Sequence, residues 1–397
     1  MRVLVIHNTY QIPGGEQVTV NNEIENLRAH GHEVITYMRD NSELGDMGSL
    51  GKLAMPKRMA WSKSAAADLR ALVQRTKPDI AHIHNTHFMI SPAAVHVCAD
   101  EGVPVVKTLH NFRLICPAAT LFRNGRVCED CVGKAAPLPG VLHACFRRSH
   151  SQSAALAAAN TFHVYRKTWD RVAQFITPTA FARAKMIEGG FAPDRITAKP
   201  HFLATDPGID AHTPRDRFML YVGRFTPEKG SQILLEAWKT LPDIPLKMVG
   251  EGPLMADARA TLDANPNMTV ELLGRVRRDE VYALMRRAHG LVFSSECYET
   301  FGMVAVEAFA VGTPVVASGH GAPAEIITHG ETGLHFTPGD PTDLAAKVRQ
   351  MWEDQPTTET MRQKARATFE AHYTAAPNLD RLLSIYEQAK SRSNYVV

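Results

Sequence analysis

Short apolar runs alternate with amphipathic stretches along most of the chain. The first run is 2–7. An amphipathic stretch over 22–30 follows, stops at Gly31 and gives way to a second apolar run at 33–38. Run, helix, glycine and run in succession read as a βαβ unit. Further strands are expected at 78–84, 103–109 and 174–179, the last followed by a helix over 180–188. The segment 200–214 contains Pro and Gly and interrupts the pattern, which then restarts. Strands are expected at 218–223, 246–249, 269–273, 290–294 and 313–317, with a helix over 230–240. From Pro341 onward the periodicity is helical alone. This alternation predicts an α/β protein of two doubly wound parallel-sheet units with helices on both faces. Ligands bind such sheets beyond the carboxyl ends of the strands, so a cleft between the units is the expected site.

Length agrees, because 397 residues exceed the size at which single cores stop growing. The expected division is 1–206 and 207–397, with the last helix packing back on the N-terminal domain. The run at 2–7 is too short for a signal-peptide core, and no stretch approaches the roughly 18 apolar residues of a membrane span. A cytoplasmic location is expected, with a peripheral contact on a membrane face left open. Charge is uneven: residues 1–205 hold 24 Lys/Arg against 16 Asp/Glu, and the rest 20 against 25. A basic half suits an anionic partner such as a lipid surface or a phosphate-bearing substrate. Nucleic acid fits less well, because aromatics do not interleave with the basic clusters.

The stretch ECYETFGMVAVEAFAVGTPVVAS, 296–318, carries two glutamates eight positions apart in an apolar setting. Glu299 is expected on a loop ahead of a helix that begins near Phe301 or Gly302, and Glu307 about two turns inside it. Eight helical positions would bring the two within ~80° around the axis. The helix start offers backbone donors and a positive dipole end to an anion. Two carboxylates around a phosphate site match a sugar, a diphosphate and a nucleoside. A dipole-capping acid plus a solvated one is the plain alternative, yet the apolar flanks of Glu307 leave it little solvated face.

The stretch 296–336, with YVGRFTPEKG (221–230), PGGEQ (13–17), VGEGP (249–253) and LLGRVRRDEVYALMRRAHG (272–290), resembles the family 4 retaining glycosyltransferases, glycosyl transferases group 1. The resemblance implies the GT-B fold, two Rossmann-like domains facing a cleft, with the nucleotide sugar held by the C-terminal one. It implies that Arg224 and Lys229 neutralise the donor diphosphate as the glycosidic bond breaks. Glu299 would bind the donor sugar and Glu307 the ribose. Backbone at Phe301 and Gly302 would contact sugar or phosphate. Gly14 and Gly15 would let a loop approach the phosphates. Glu251 and Gly252 would line the nucleotide pocket, and backbone near Arg275 and Val276 would meet the base. His110, at a strand end, would face the reacting sugar, with Asn111 and Arg113 beside it. His110, Glu299, Arg224 and Lys229 are thus the candidate catalytic residues.

The implied reaction is a metal-independent front-face transfer with retention, from a UDP- or GDP-sugar to a glycan or lipid-linked oligosaccharide in bacterial surface polysaccharide synthesis. No cofactor is expected for the chemistry. A sugar-nucleotide epimerase of the same architecture is the alternative, and a binding protein that has lost catalysis is a weaker one. Lys52, Lys57, Arg58, Lys63 and Arg70 are candidate contacts to an anionic membrane. A cysteine-rich insertion spans 114–150, where Cys116, Cys128, Cys131 and Cys145 have the spacing C-x11-C-x2-C-x13-C. Tetrahedral structural zinc is one reading and plain thiols on an irregular loop the other.

Overall fold

The computed structural model describes residues 1–10, 14–45, 48, 54–210 and 216–393. Pro13 of the first glycine motif, Lys52 and residues 211–214 lie outside the described residues. Two compact units emerge. One holds Met1–Thr120, Glu129–Ala204 and the helix from Ala375; the other holds Leu121–Cys128 and Thr205–Thr374.

In the first unit the chain runs β1 (Arg2–Thr9), α1 (Gly15–Ala29), β2 (Glu33–Asp40), α2 (Met55–Ala60), α3 (Lys63–Thr76), β3 (Ile80–Ile83), α4 (Ala93–Asp100) and β4 (Val105–Thr108). The small antiparallel pair β5 (Phe122–Arg123) and β6 (Arg126–Val127) comes next and groups with the second unit. The first unit resumes with α5 (Leu138–Leu142), α6 (His150–Tyr165), β7 (Gln174–Thr177), α7 (Ala180–Glu188) and β8 (Ile196–Ala198). Its sheet is parallel throughout, in the order β2-β1-β3-β4-β7-β8. Val3–Ile6 are buried without alternation, as a strand covered on both faces must be.

The second unit runs β9 (Met219–Val222), α8 (Ser231–Trp238), β10 (Leu246–Val249), α9 (Met255–Ala264), β11 (Val270–Gly274), α10 (Arg278–Arg287), β12 (Gly290–Phe293), α11 (Met303–Ala310), β13 (Val315–Ser318), α12 (Gly321–Ile326), β14 (Gly333–Phe336), α13 (Pro341–Glu353) and α14 (Gln355–His372). Its sheet, also parallel, has the order β11-β10-β9-β12-β13-β14. Trp238, Met248, Val316, Leu334 and Val348 anchor its core.

Helix α15 (Ala375–Ser393) belongs to the first unit, where Leu379, Leu382, Ile385 and Tyr386 join Val5, Ile24, Val106 and Ile176 in one core. Each sheet has six strands rather than the five expected: β8 and β14 are additional. No helix among the described residues is long and apolar enough to cross a membrane. Strand order reverses between β1 and β3 in the first sheet and between β9 and β12 in the second. Loops diverge at such points and leave a crevice beyond the carboxyl ends.

Candidate active site

At the switch point of the second sheet, the loop after β9 meets the loop after β12. Gly230 makes this approach possible. Its φ is +68°, and a Cβ there would sit 1.9 Å from the Ser294 carbonyl oxygen. The Ser294 hydroxyl donates to the Lys229 carbonyl at 3.1 Å, and the Glu296 N–H donates to the Glu228 carbonyl at 3.0 Å. This stitching sets the Lys229 ammonium on the Glu299 carboxylate in an ion pair. The Ser295 hydroxyl donates to the same carboxylate oxygen at 2.7 Å. Burial alone would push the Glu299 pKa up, but Lys229 outweighs it and holds it below the usual carboxylate range. Burial likewise pulls Lys229 down, and Glu299 more than restores it. Both groups are therefore charged at neutral pH.

Gly302 caps α11 at φ +98°, and a Cβ there would press on the Phe293 ring at 2.6 Å. Glu299 thus stands on the loop before the helix, as expected. Glu307 is only the fifth residue of α11, not two turns in. Because Glu299 lies off the helix, the angular argument linking the two fails. What unites them is that each is paired: Glu307 accepts from Arg278 at 3.1 Å, and Arg278 also donates to the Tyr282 hydroxyl at 3.1 Å. Burial pushes the Glu307 pKa up against the pull of Arg278.

The remaining donor residues expected on this unit, Gly14 and Gly15 belonging to the other, follow strands of the same sheet. Arg224 is largely exposed, 69% of its side chain, and meets Glu228 at 3.2 Å. The two cations of the loop thus differ, one sunk on a carboxylate and one at the surface. Glu251 and Gly252 follow β10. The Glu251 carbonyl accepts from the Phe225 N–H at 2.9 Å, and a Cβ on Gly252 would lie 2.4 Å from the Phe225 carbonyl oxygen. Arg275 is exposed and Val276 half-buried after β11. Phe301 is buried, its ring 5.9 Å from that of Tyr373.

The first unit gathers a second polar group at its own switch point. His82 on β3 and His84 just past its end are both buried, their ring centroids 4.1 Å apart. His84 Nδ1 lies 3.0 Å from His110 Nε2 at the end of β4. His82 contacts the Tyr386 hydroxyl at 2.8 Å and the Thr108 hydroxyl at 2.7 Å. Beneath them Lys199 donates to Glu23 at 2.7 Å and to Asn378 at 2.8 Å. Burial, reinforced by neighbouring imidazoles and Lys107, pulls the His110 pKa well below the ordinary value. His110 is a neutral ring at pH 7.

His110 lines a small pocket with Glu16, Lys107, Asn111 and Arg113. Burial pushes the Glu16 carboxyl up to about 7 despite Lys107 and Arg113. Lys107 is pulled down to about 8 by burial and donates to the His84 carbonyl at 2.6 Å. Gly14 precedes α1 with φ −129°, and a Cβ on it would meet nothing within 4 Å. The chain's own packing therefore does not require glycine there. Gly15 begins α1.

Sequence reasoning missed Arg278, Glu16, Lys107 and the Glu23–Lys199 pair. The period-two spacing of His82 and His84 at the end of a buried strand was the available signal for the last. Among the described residues, Glu23, His82 and His84 bring ligand atoms within 4.8 Å of one another. Lys199 already supplies the cation for that carboxylate, so the group reads as a polar core. The four cysteines are not in that group. Cys116 and Cys131 are buried, Cys128 and Cys145 half-buried, and the zinc reading keeps only their spacing.

Comparison with known proteins bears on this arrangement. Residues 205–368 match the model for glycosyl transferases group 1, and residues 13–206 that for glycosyltransferase family 4. An uncharacterized glycosyltransferase of Methanocaldococcus jannaschii is 38% identical over 36% of this chain and 40% of its own length. The D-rhamnosyltransferase WbpZ of Pseudomonas aeruginosa is 35% identical over 40% of this chain and 42% of its own. These matches span about two fifths of either relative. Among solved structures, the sucrose-phosphate synthase of Thermosynechococcus elongatus superposes with a TM-score of 0.71 at 18% identity, over 98% of both chains. Anabaena Alr3699/HepE in complex with UDP and glucose gives 0.63 at 18% identity, over 96% of this chain and 98% of the other. The structural likeness establishes the GT-B fold. With the two family models covering nearly all of its length, the chain belongs to the glycosyltransferases of group 1 and family 4.

Proposed function

We propose that the chain is a retaining hexosyltransferase. It moves a sugar from a UDP- or GDP-sugar to a glycan or lipid-linked oligosaccharide in bacterial surface polysaccharide synthesis, at the inner face of the plasma membrane. The observation that carries the proposal is the Lys229–Glu299 pair at the β9/β12 switch point, beside the start of α11. A half-buried ammonium and a half-buried carboxylate hold each other until a ligand offers each a better partner. A nucleotide sugar does so, with its diphosphate for Lys229 and Arg224 and its sugar hydroxyls for Glu299. Arg278 would likewise yield Glu307 to a ribose. The name of one relative supports the polysaccharide context, the O-antigen chain mannosyltransferase C of Escherichia coli.

In the proposed step, the acceptor hydroxyl attacks the anomeric carbon from the face the leaving group occupies. The bond from that carbon to the phosphate oxygen breaks, and the same oxygen takes the acceptor's proton. Charge grows on the diphosphate, where Lys229, Arg224 and the helix start stabilise it. His110, being neutral, brings no charge to the sugar, and its Nε2 is already engaged by His84.

A thermal-shift screen of UDP- and GDP-sugars tests donor binding, because ligand binding adds to apparent stability. One nucleotide series should raise Tm, and a flat response across all of them would defeat the reading. Mass spectrometry of products then separates transfer from epimerisation, and proton NMR of the new linkage reads its configuration.

A further inference from the structure

Helix α6 lacks the usual division into an apolar inner face and a polar outer one. Its buried side includes Ser153, Asn160 and His163. Its solvent side, at helical spacing, presents Ser151, Ala154, Ala158, Phe162 and Tyr165 without a charge. Helix α5 packs on α6 and exposes two leucines, Leu138 at 62% and Leu142 at 72%; Tyr165 reaches 79%. Among the described residues, the large hydrophobics left exposed are these three with Phe162, Val164 and Ile209. All but Ile209 lie on α5 and α6. Scattered single apolar residues need no explanation, but a contiguous set does.

The charges around the set have one sign. No Asp or Glu occurs between Asp130 and Asp170, whereas Lys134, Arg147, Arg148, Arg166 and Lys167 do, all exposed. Helix α2, which also packs on α6, adds Lys57 and Arg58, and no acid lies between Ala54 and Ala67. By contrast Arg70, among the membrane contacts expected from sequence, is committed to Glu101 at 3.0 Å and Asp100 at 3.7 Å.

We propose that α5 and the solvent face of α6 form a monotopic docking surface for an anionic lipid interface. Leu138, Leu142, Phe162 and Tyr165 enter the headgroup–acyl boundary, and the surrounding cations meet lipid phosphates. The mixture selects the partner. A nucleic acid would use the cations but gain nothing from exposed aliphatic leucines. A bilayer interface uses both. The inference deepens the proposed function, resting on it only for the idea that the acceptor is lipid-linked.

The test is co-sedimentation of the full chain with vesicles of phosphatidylcholine alone and with about one third phosphatidylglycerol. Binding should require the anionic lipid and weaken between about 0.1 M and about 1 M salt. Leu138→Glu with Leu142→Glu should lower the vesicle partition coefficient by about tenfold or more. Lys134→Ala with Lys167→Ala should lower it by about tenfold on anionic vesicles and leave neutral ones unaffected. These side chains are exposed, so thermal unfolding should not change. The nucleotide-induced Tm shift, measured on the same preparations, keeps the donor reading separate. Absence of sedimentation with either vesicle, equal binding by the leucine variant, or tighter retention on duplex DNA than on vesicles would each overturn the proposal.

Discussion

Lys229 and Glu299 can be separated into structural and functional parts by substitution. Glu299→Gln leaves a largely buried ammonium without its counter-charge, and one-sided removal of such a partner costs about 3 kcal/mol. Urea unfolding should show that loss, alongside a fall in kcat/KM of about a hundredfold or more. Combining Lys229→Met with Glu299→Leu removes both charges and should recover most of the stability. Activity should stay lost, because neither diphosphate nor sugar hydroxyls then find their partners. A double variant that regains turnover would show the pair to be scaffolding. The existence of a partner for Glu307 was legible from its apolar flanks. Its identity was not, since Arg278 lies 29 positions earlier on another helix and nothing local links the two.

Glycines set the geometry of the elements that carry the site. Gly302→Ala would place a side chain at φ +98° and against the Phe293 ring. A left-handed non-glycine residue costs about 1–2 kcal/mol before that contact is counted. Calorimetry should show a lowered Tm, with a larger loss in donor binding because the start of α11 must shift. Most strands were readable as apolar runs because buried parallel strands lack polar alternation. The two missed strands had other signatures. β8 is three residues ending in Thr and Ala, and β14 is four with a histidine, too short and mixed to stand out beside a glycine-rich turn. The beginning of α1 was missed because Gly15, Gln17 and Thr19 hide a helix whose buried side also takes Glu23.

At the scale of the molecule, histidine decides the response to acid. Burial above all lowers His7, His82 and His163 to about 4 and His201 to about 3, and it depresses His84, His87 and His110 strongly. The unfolded chain binds those protons from about pH 6.5 downward, and the folded first unit does not. Each such group removes up to about 1.4 kcal/mol of stability per pH unit in that interval. Glu16, raised to about 7, opposes them in the first unit, as the raised Glu296 and Glu307 do in the second. Tm should therefore fall steeply between about pH 6.5 and about 4, and hydrogen exchange should reveal the first unit opening before the second. Uniform protection across that range would contradict this. Helix α15 bears on the same unit. A chain stopped at Thr374 forfeits Leu382, Ile385 and Tyr386 from the core and strips Asn378 from Lys199. Exchange protection should disappear from β1, β3 and β4 while β9–β14 keep theirs. Helix α15 is synthesised after every strand of both sheets. On the ribosome, the amino-terminal half must wait, incomplete, through the making of its neighbour. A nonsense codon ahead of α15 would spoil the unit that was made before its neighbour.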